Sequence, residues 1–298
     1  MKLKLLIFTC TSLITTTICA QKIENIKLED KLHKPYEFSS IDSYRDTIYL
    51  MSETCTSFFK IDKDSGKEFQ EISFANPDRS YDIEAYCNYE NGFFFADETD
   101  NSIYHVSNKS NLLLPHKLLR IESEQNRNRD FGIEGLCLNP EKNILYVIKE
   151  FGKNKTSILY CYTILQKENS VSLKLKKRVD ISLGNMYRYT DIAFDSQKNS
   201  LYLLRTKFKN YSIDVISLND QSGLPDNNNY KYKNFISYNI SSKINSYFEE
   251  GYSTNMEGIT IDETGKIYLV SDNYTGRDRT CESDEQSDRK TLLLKLTL

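Results

Sequence analysis

Acidic residues recur in this sequence at the ends of short apolar runs. Glu84 and Glu98 bracket one pair of runs, Glu134 and Glu150 a second, Glu257 and Asp272 a third, and Glu37 and Glu53 a fourth. Brought to one place, such carboxylates could hold a hard cation, since Ca²⁺ takes six to eight oxygen ligands. Left uncompensated they repel one another and hold their protons more tightly. The candidate cation ligands are therefore Glu84, Glu134, Glu257, Glu98, Glu150 and Asp272. Asp191 joins them from a fifth bracket, Thr190 to Thr206, which departs from the acidic pattern. For any single Glu, a cap on backbone amides of a neighbouring segment is an equally simple reading. The ensemble is harder to dismiss than any one member.

Basic residues fall in the same connecting segments: Arg127, Arg129, Arg188, Lys149, Arg205, Lys207, Arg277 and Arg279. Arg could hold a phosphate or another small anion through paired donors. Arg205, Lys149 and Arg127 are the candidates for that role. For most of the eight, solvated loop charge or ion pairing with the Glu residues is the simpler reading. Arg205 is set apart because it occupies the position that Lys149 and Asp97 occupy in sister segments.

Other chemistries are disfavoured. His33, His105 and His116 have no metal-ligand spacing and share no repeat position. A Ser-His-Asp hydrolase or a histidine phosphatase does not fit them. There is no Gly-x-Ser-x-Gly elbow and no Gly-rich phosphate loop. If the chain is catalytic, metal-activated water fits best. The net charge of −3, from 39 basic and 42 acidic side chains, gives no sign of a nucleic-acid partner.

The elements that must carry these residues are β-strands. Tyr (21) and Phe (15) are abundant, Gly (11) and Pro (5) scarce, and Asn, Asp and Ser punctuate the apolar runs. Glu134 to Glu150 reads as strand, polar turn, strand, and Glu257 to Asp272 repeats that layout. Hairpins beginning at 37, 84, 134, 190 and 257 are separated by 47, 50, 56 and 67 residues, a period that belongs to propeller blades. Each copy has an aromatic in its second strand: Tyr49, Phe94, Tyr146, Tyr202 and Tyr268. A third strand-like run follows each hairpin, and a fourth follows several. Four antiparallel strands per unit make a blade. The expected fold is an all-β propeller with five blades, six being the alternative, in one domain over 21–298. The last unit lacks a strand, which Ile23 to Leu28 could supply. In an antiparallel hairpin, residues equidistant from the turn face each other. The first and last residues of each hairpin therefore share an end, and four blades bring their carboxylates to one channel mouth.

Three ordered pieces carry a resemblance: Arg127-Asn-Arg-Asp-Phe-Gly-Ile-Glu-Gly-Leu136; Thr190-Asp-Ile-Ala193 with Leu203-Leu-Arg205; and Glu257-Gly-Ile259 with Ser271-Asp-Asn273 and Thr291-Leu-Leu-Leu294. Together they resemble the phytase-like propeller family, also described as "esterase-like activity of phytase". Leu204 departs from it, where the family tends to have Glu. The chain is also similar to the SdiA-regulated type of propeller in its Glu-Gly-Leu blades. The first resemblance implies an exported propeller that hydrolyses phosphoric esters with Ca²⁺ at the carboxylate mouth. The alternative is a non-catalytic propeller that binds a ligand or a protein there.

Residues 1–20 read as a secretory signal. Lys2 and Lys4 precede an apolar and Thr-rich stretch, and Ala20 offers a cleavage point. A lipid on Cys19 is the less favoured alternative, because Ile18 is large for that signal. No window is long and apolar enough for a transmembrane helix, and a monomer is expected. Cleavage would leave Cys55, Cys87, Cys137, Cys161 and Cys281, an odd number with at least one free thiol. Cys87 and Cys137 lie in apolar runs and read as buried and inert.

Overall fold

The computed structural model describes residues 22–53, 55–73, 81–90, 92–107, 113–121, 132–150, 156–167, 170–184, 187–273 and 287–298. Strand β1 (Lys22–Ile26) opens the chain. Blade 1 is β2 (Phe38–Tyr44), β3 (Thr47–Ser52), β4 (Ser57–Asp62) and β5 (Glu68–Ser73). Blade 2 is β6 (Ile83–Tyr89), β7 (Gly92–Asp97), β8 (Ser102–Ser107) and β9 (Pro115–Arg120). Blade 3 is β10 (Ile133–Asn139), β11 (Ile144–Lys149), β12 (Thr156–Lys167) and β13 (Ser170–Ser182). Blade 4 is β14 (Arg188–Asp195), β15 (Ser200–Lys207), β16 (Asn210–Ser217) and β18 (Ile236–Asn239); the short β17 (Asn229–Lys231) adds in parallel to β13 of blade 3. Blade 5 is β19 (Asn255–Ile261), β20 (Ile267–Asp272) and β21 (Leu293–Thr297), completed by β1. The fold is the expected five-bladed propeller of four-stranded antiparallel blades.

The ring closes as expected: β1 pairs antiparallel with β21, Lys22 facing Thr297 and Ile26 facing Leu293. One blade thus holds both ends of the described chain together.

The core is a set of wedges between blades. Met51 and Phe58 of blade 1 pack on Ile83, Tyr86 and Phe93 of blade 2. Ala85 and Cys87 of blade 2 meet Leu136 and Leu145 of blade 3, and the same arrangement continues round to Tyr268 and Val270 of blade 5 against Phe38 and Ile41 of blade 1. The strand alternation explains this. Successive side chains point to opposite faces of a blade, and both faces are covered. Burying these aromatic and branched side chains supplies the main driving force.

Every innermost strand carries a β-bulge near its start. The register shifts between Phe38 and Ser40, Ile83 and Ala85, Ile133 and Gly135, Tyr189 and Asp191, and Met256 and Gly258. A bulge adds one residue to one strand and re-aims its side chain. The residues so displaced are Ser39, Glu84, Glu134, Thr190 and Glu257. A small residue follows in four blades (Ser40, Ala85, Gly135 and Gly258), and a Cβ at Gly135 would lie 2.6 Å from Asp191 Oδ1 of the next blade.

Candidate functional site

The bulges build the acidic mouth. Glu84, Glu134 and Glu257 occupy the bulge position of blades 2, 3 and 5. In blades 1 and 4 that position holds a hydroxyl instead. Ser39 Oγ donates to Ile83 O at 2.5 Å and Thr190 Oγ1 to Met256 O at 3.3 Å, each capping the next blade. A second tier follows the second strands. Glu53, Glu98 and Glu150 donate their backbone N–H to Glu37 O, Asp82 O and Gly132 O. Thr206 and Asp272 hold the matching places, opposite Arg188 and Asn255.

The hairpin ends therefore share one mouth, although the partners differ from simple symmetry. Glu98 faces Asp82 rather than Glu84, and Glu150 faces Gly132 rather than Glu134: the turn register, with Tyr89 opposite Gly92 and Asn139 opposite Ile144, moves each partner by one residue, and the bulge moves it by one more. Glu37 shifts further. It aligns with Asp82 and Arg188, two residues before the bulge, while Ser39 aligns with Glu84. Its N–H donates to Asn273 Oδ1 at 3.2 Å.

The mouth is electrostatically divided. On one side Arg188 bridges the carboxylates: Nη2 donates to Glu257 Oε1 at 2.5 Å, Nη1 to Glu150 Oε1 at 3.4 Å, and Glu134 Oε2 lies at 3.9 Å. This matches the ion-pair reading of the basic loop residues. Sequence reasoning gave Arg188 no special place; its cue is that it stands where sister blades carry Glu37 and Asp82. On the other side, one carboxyl oxygen each from Glu53, Asp82 and Glu84 lies within 4.8 Å of the others. Glu53 and Asp82 belong to the mouth as fully as the residues singled out from the spacing.

Protonation follows this division. Burial, then the charges of Glu84, Asp82, Glu37 and Asp272, push the Glu53 carboxyl up to about 10. Burial and the charges of Glu134, Glu98 and Glu257 raise Glu84 well above the carboxylate range. Glu134 is raised by burial and by Glu150, against the pull of Arg188. Burial raises Glu98 and Glu150 as well, Arg188 opposing the rise at Glu150. Glu257 reaches only about 7, since Arg188 offsets part of its burial. A hard cation beside Glu53, Asp82 and Glu84 would reverse these shifts and meet an all-oxygen donor set.

The remaining sequence candidates lie elsewhere or are otherwise engaged. Asp191 is buried at the next step of β14. Its Oδ1 accepts from Ile192 N at 2.7 Å and its Oδ2 from Ile259 N at 2.8 Å, which joins blade 4 to blade 5. Arg205 is also buried. Its Nε donates to Asp214 Oδ2 at 2.7 Å and its Nη2 to Asp214 Oδ1 at 3.3 Å, with the Tyr187 and Tyr232 rings 4.6 and 4.5 Å away. Lys149 is buried and donates to Asn101 Oδ1 at 3.3 Å. Arg127, Arg129, Arg277, Arg279, Cys281 and the segment 1–20 lie outside the described residues. Cys55 is disulfide-bonded, its partner likewise outside them, while Cys87, Cys137 and Cys161 are free and buried. Burial pushes these three thiols up, Cys161 to about 12, which disfavours the reactive thiolate and agrees with the expectation for Cys87 and Cys137.

A family model for "Phytase-like: Esterase-like activity of phytase" matches residues 28–274. Glutaminyl cyclase from Myxococcus xanthus is a solved structure of similar shape, with TM-score 0.51, 10% identity, and 92% of this chain and 96% of that one covered. A luciferin-regenerating enzyme has TM-score 0.49 at 12% identity, covering 93% and 95% of the two chains. At these identities the likeness to the cyclase speaks for the fold alone. No curated protein matches the chain by sequence.

Proposed function

The chain belongs to the phytase-like (esterase-like activity of phytase) family, and from that premise we propose that its acidic mouth binds Ca²⁺ and hydrolyses a small phosphoric ester. The observation that carries this reading is the convergence of Glu53, Asp82 and Glu84 to within 4.8 Å. Those three residues would hold the cation. When bound, Ca²⁺ would supply positive charge for the ester's phosphoryl oxygens and for a water ligand. Arg188 keeps Glu134, Glu150 and Glu257 ordered on the facing side. Glu257, with its carboxyl near 7, is poised to take or give a proton at neutral pH. Export agrees with the Cys55 disulfide, which persists in oxidising compartments. Mass spectrometry of protein recovered from its native cells should show cleavage after Ala20 and no lipid on Cys19.

The test is a phosphomonoester screen with and without Ca²⁺, on wild type and Glu84→Gln. Turnover that needs both Ca²⁺ and Glu84 supports the reading; equal rates in EDTA would refute it. A second reading, a ligand-binding propeller without turnover, is favoured by one observation. Arg205 and Lys149, the candidate phosphate holders, are committed to Asp214 and Asn101. That reading predicts a Ca²⁺-dependent rise in Tm with no turnover.

A further inference from the structure

The opposite end of the channel opens into a cavity of about 860 Å³. It lies at the hairpin turns, away from the acidic mouth, and its size falls within the roughly 300–1,000 Å³ of small-molecule sites. Channel-side residues of all five innermost strands wall it, and it extends outward between blades 1 and 2. At the axis its lining changes from Asn88 on one side to Leu138, Phe194 and Ile261 on the other.

Hydrogen-bond register fixes the wall given by blade 1. Asp42 faces Tyr49, and Tyr49 faces Lys60. Carboxylate, phenol and ammonium thus stand in one row on the side toward blade 2. Strands lie about 4.8 Å apart, which sets the Lys60 backbone about 10 Å outward from that of Asp42. Behind Tyr49, blade 2 and Phe58 supply a buried aromatic stack. Tyr86 stacks on Tyr49 with ring centroids 6.2 Å apart, and Phe58 and Phe93 pack on Tyr86 at 5.4 and 5.2 Å.

The charges along this row are unequally satisfied. Asp42 accepts from Ser43 N at 2.8 Å, Asn88 N and Nδ2 at 2.7 Å each, and Thr260 Oγ1 at 3.4 Å, which fills its lone pairs. The rim acids are engaged too. Asp46 and Glu263 lie 3.5 and 3.3 Å from Lys63, and Glu90 accepts from Gln166. Lys60 differs. Its Nζ sits 5.7 Å from the Tyr49 ring centroid, half-buried, with no carboxylate in ion-pair range among the described residues. Arg45, at the nearby turn, lies over Tyr44 and likewise has no acidic partner among them. A half-buried ammonium beside an aromatic wall gains most from an anion that brings its own apolar body.

We propose that this cavity binds a small aromatic carboxylate, its ring against Tyr49, which Tyr86 backs, and its carboxylate on Lys60. The site is independent of the acidic mouth. Isothermal titration with 2-naphthoate and with its neutral counterpart 2-naphthamide tests it. The acid should bind about tenfold more tightly than the amide or better, the margin of one partly desolvated ion pair. Lys60→Met should remove that margin while leaving the amide unchanged. Ile72→Trp, which fills the outer part of the cavity, should remove binding of both. Glu84→Gln, at the far mouth, should change neither. Melting curves establish that each variant is folded, and Lys60→Gln replaces Lys60→Met if that variant is not. Equal affinity for acid and amide, no binding of either, or wild-type affinity in the folded Lys60 variant would each overturn the proposal.

Discussion

Glu257 is buried in the ring, and burial raises its carboxyl to about 7 while Arg188 holds it from rising further. Its value in the unfolded chain is near 4.5, so across that interval the folded protein binds the extra proton. Stability falls with pH wherever the native state holds more protons. This contribution is complete below about pH 4.5 and is lost as pH rises to about 7. Urea denaturation of wild type in EDTA should show ΔG declining over that range, by an amount on the order of 3 kcal/mol from this residue. Glu257→Gln should flatten that part of the curve, and an unchanged slope would show that Glu257 does not titrate there. Arg205 makes the opposite kind of claim. Its guanidinium is tied to Asp214 deep in blade 4, so Asp214→Asn would leave a buried charge half-paired. A loss of about 3–5 kcal/mol is expected in the same assay. Ligand binding at the acidic mouth should be unchanged in whatever fraction remains folded.

Each innermost strand must bend to bring its first residues to the channel, and its bulge provides that bend. Gly135 and Gly258 follow two of these bulges at points where the next blade leaves no room. A Cβ at Gly135 would meet Asp191 Cα at 2.8 Å and Ile148 Cγ2 at 2.8 Å. Gly135→Ala should therefore destabilise the fold by about 1–3 kcal/mol. Thermal melts followed by far-UV circular dichroism would measure the loss, with the β spectrum retained below the transition. These bulges also explain what could be read from the sequence. The hairpins, their order, the closing strand and the shared end of the acidic residues were all legible, because apolar alternation and turn residues mark them directly. The bulge was not. It adds one residue without breaking the apolar pattern and, together with a turn that sets Tyr89 opposite Gly92, moves the partner of Glu98 from Glu84 to Asp82. In blade 1 Glu37 does face Glu53 as the spacing implies, but the bulge position aligned with Glu84, Glu134 and Glu257 is held by Ser39. Asp82 and Arg188 escape the spacing pattern because their place is set by pairing before the bulge. The Arg205 ion pair is hidden for a different reason: its partner Asp214 lies on the third strand, and cross-strand neighbours there follow from register that the sequence does not display.

The molecule is a closed ring whose seam runs through blade 5, where β1 pairs with β21. The acidic oxygens that converge most closely come from blades 1 and 2, away from that pairing. Closure and cation binding should therefore be separable. Removing residues 22–26 would leave blade 5 with three strands and β21 as an unpaired edge, a surface prone to pairing with other chains. It would also strip cover from Ile26's neighbours Leu293 and Ile61 in the wedge between blades 5 and 1. The truncated protein should melt well below wild type and associate at high concentration, as size-exclusion chromatography would reveal. Ca²⁺ at a hundred times its dissociation constant should stabilise wild type by about 2.7 kcal/mol. If Glu53, Asp82 and Glu84 hold the ion, the truncated protein should keep most of that gain, and Glu84→Gln in the full chain should lose it. A truncated protein that melts lower but gains nothing from Ca²⁺, beside a wild type that does, would mean that the ion reads the closed ring as a whole. A wild type whose melting is indifferent to Ca²⁺ would leave the carboxylates as scaffold, held by protons at the mouth and by Arg188 on its facing side.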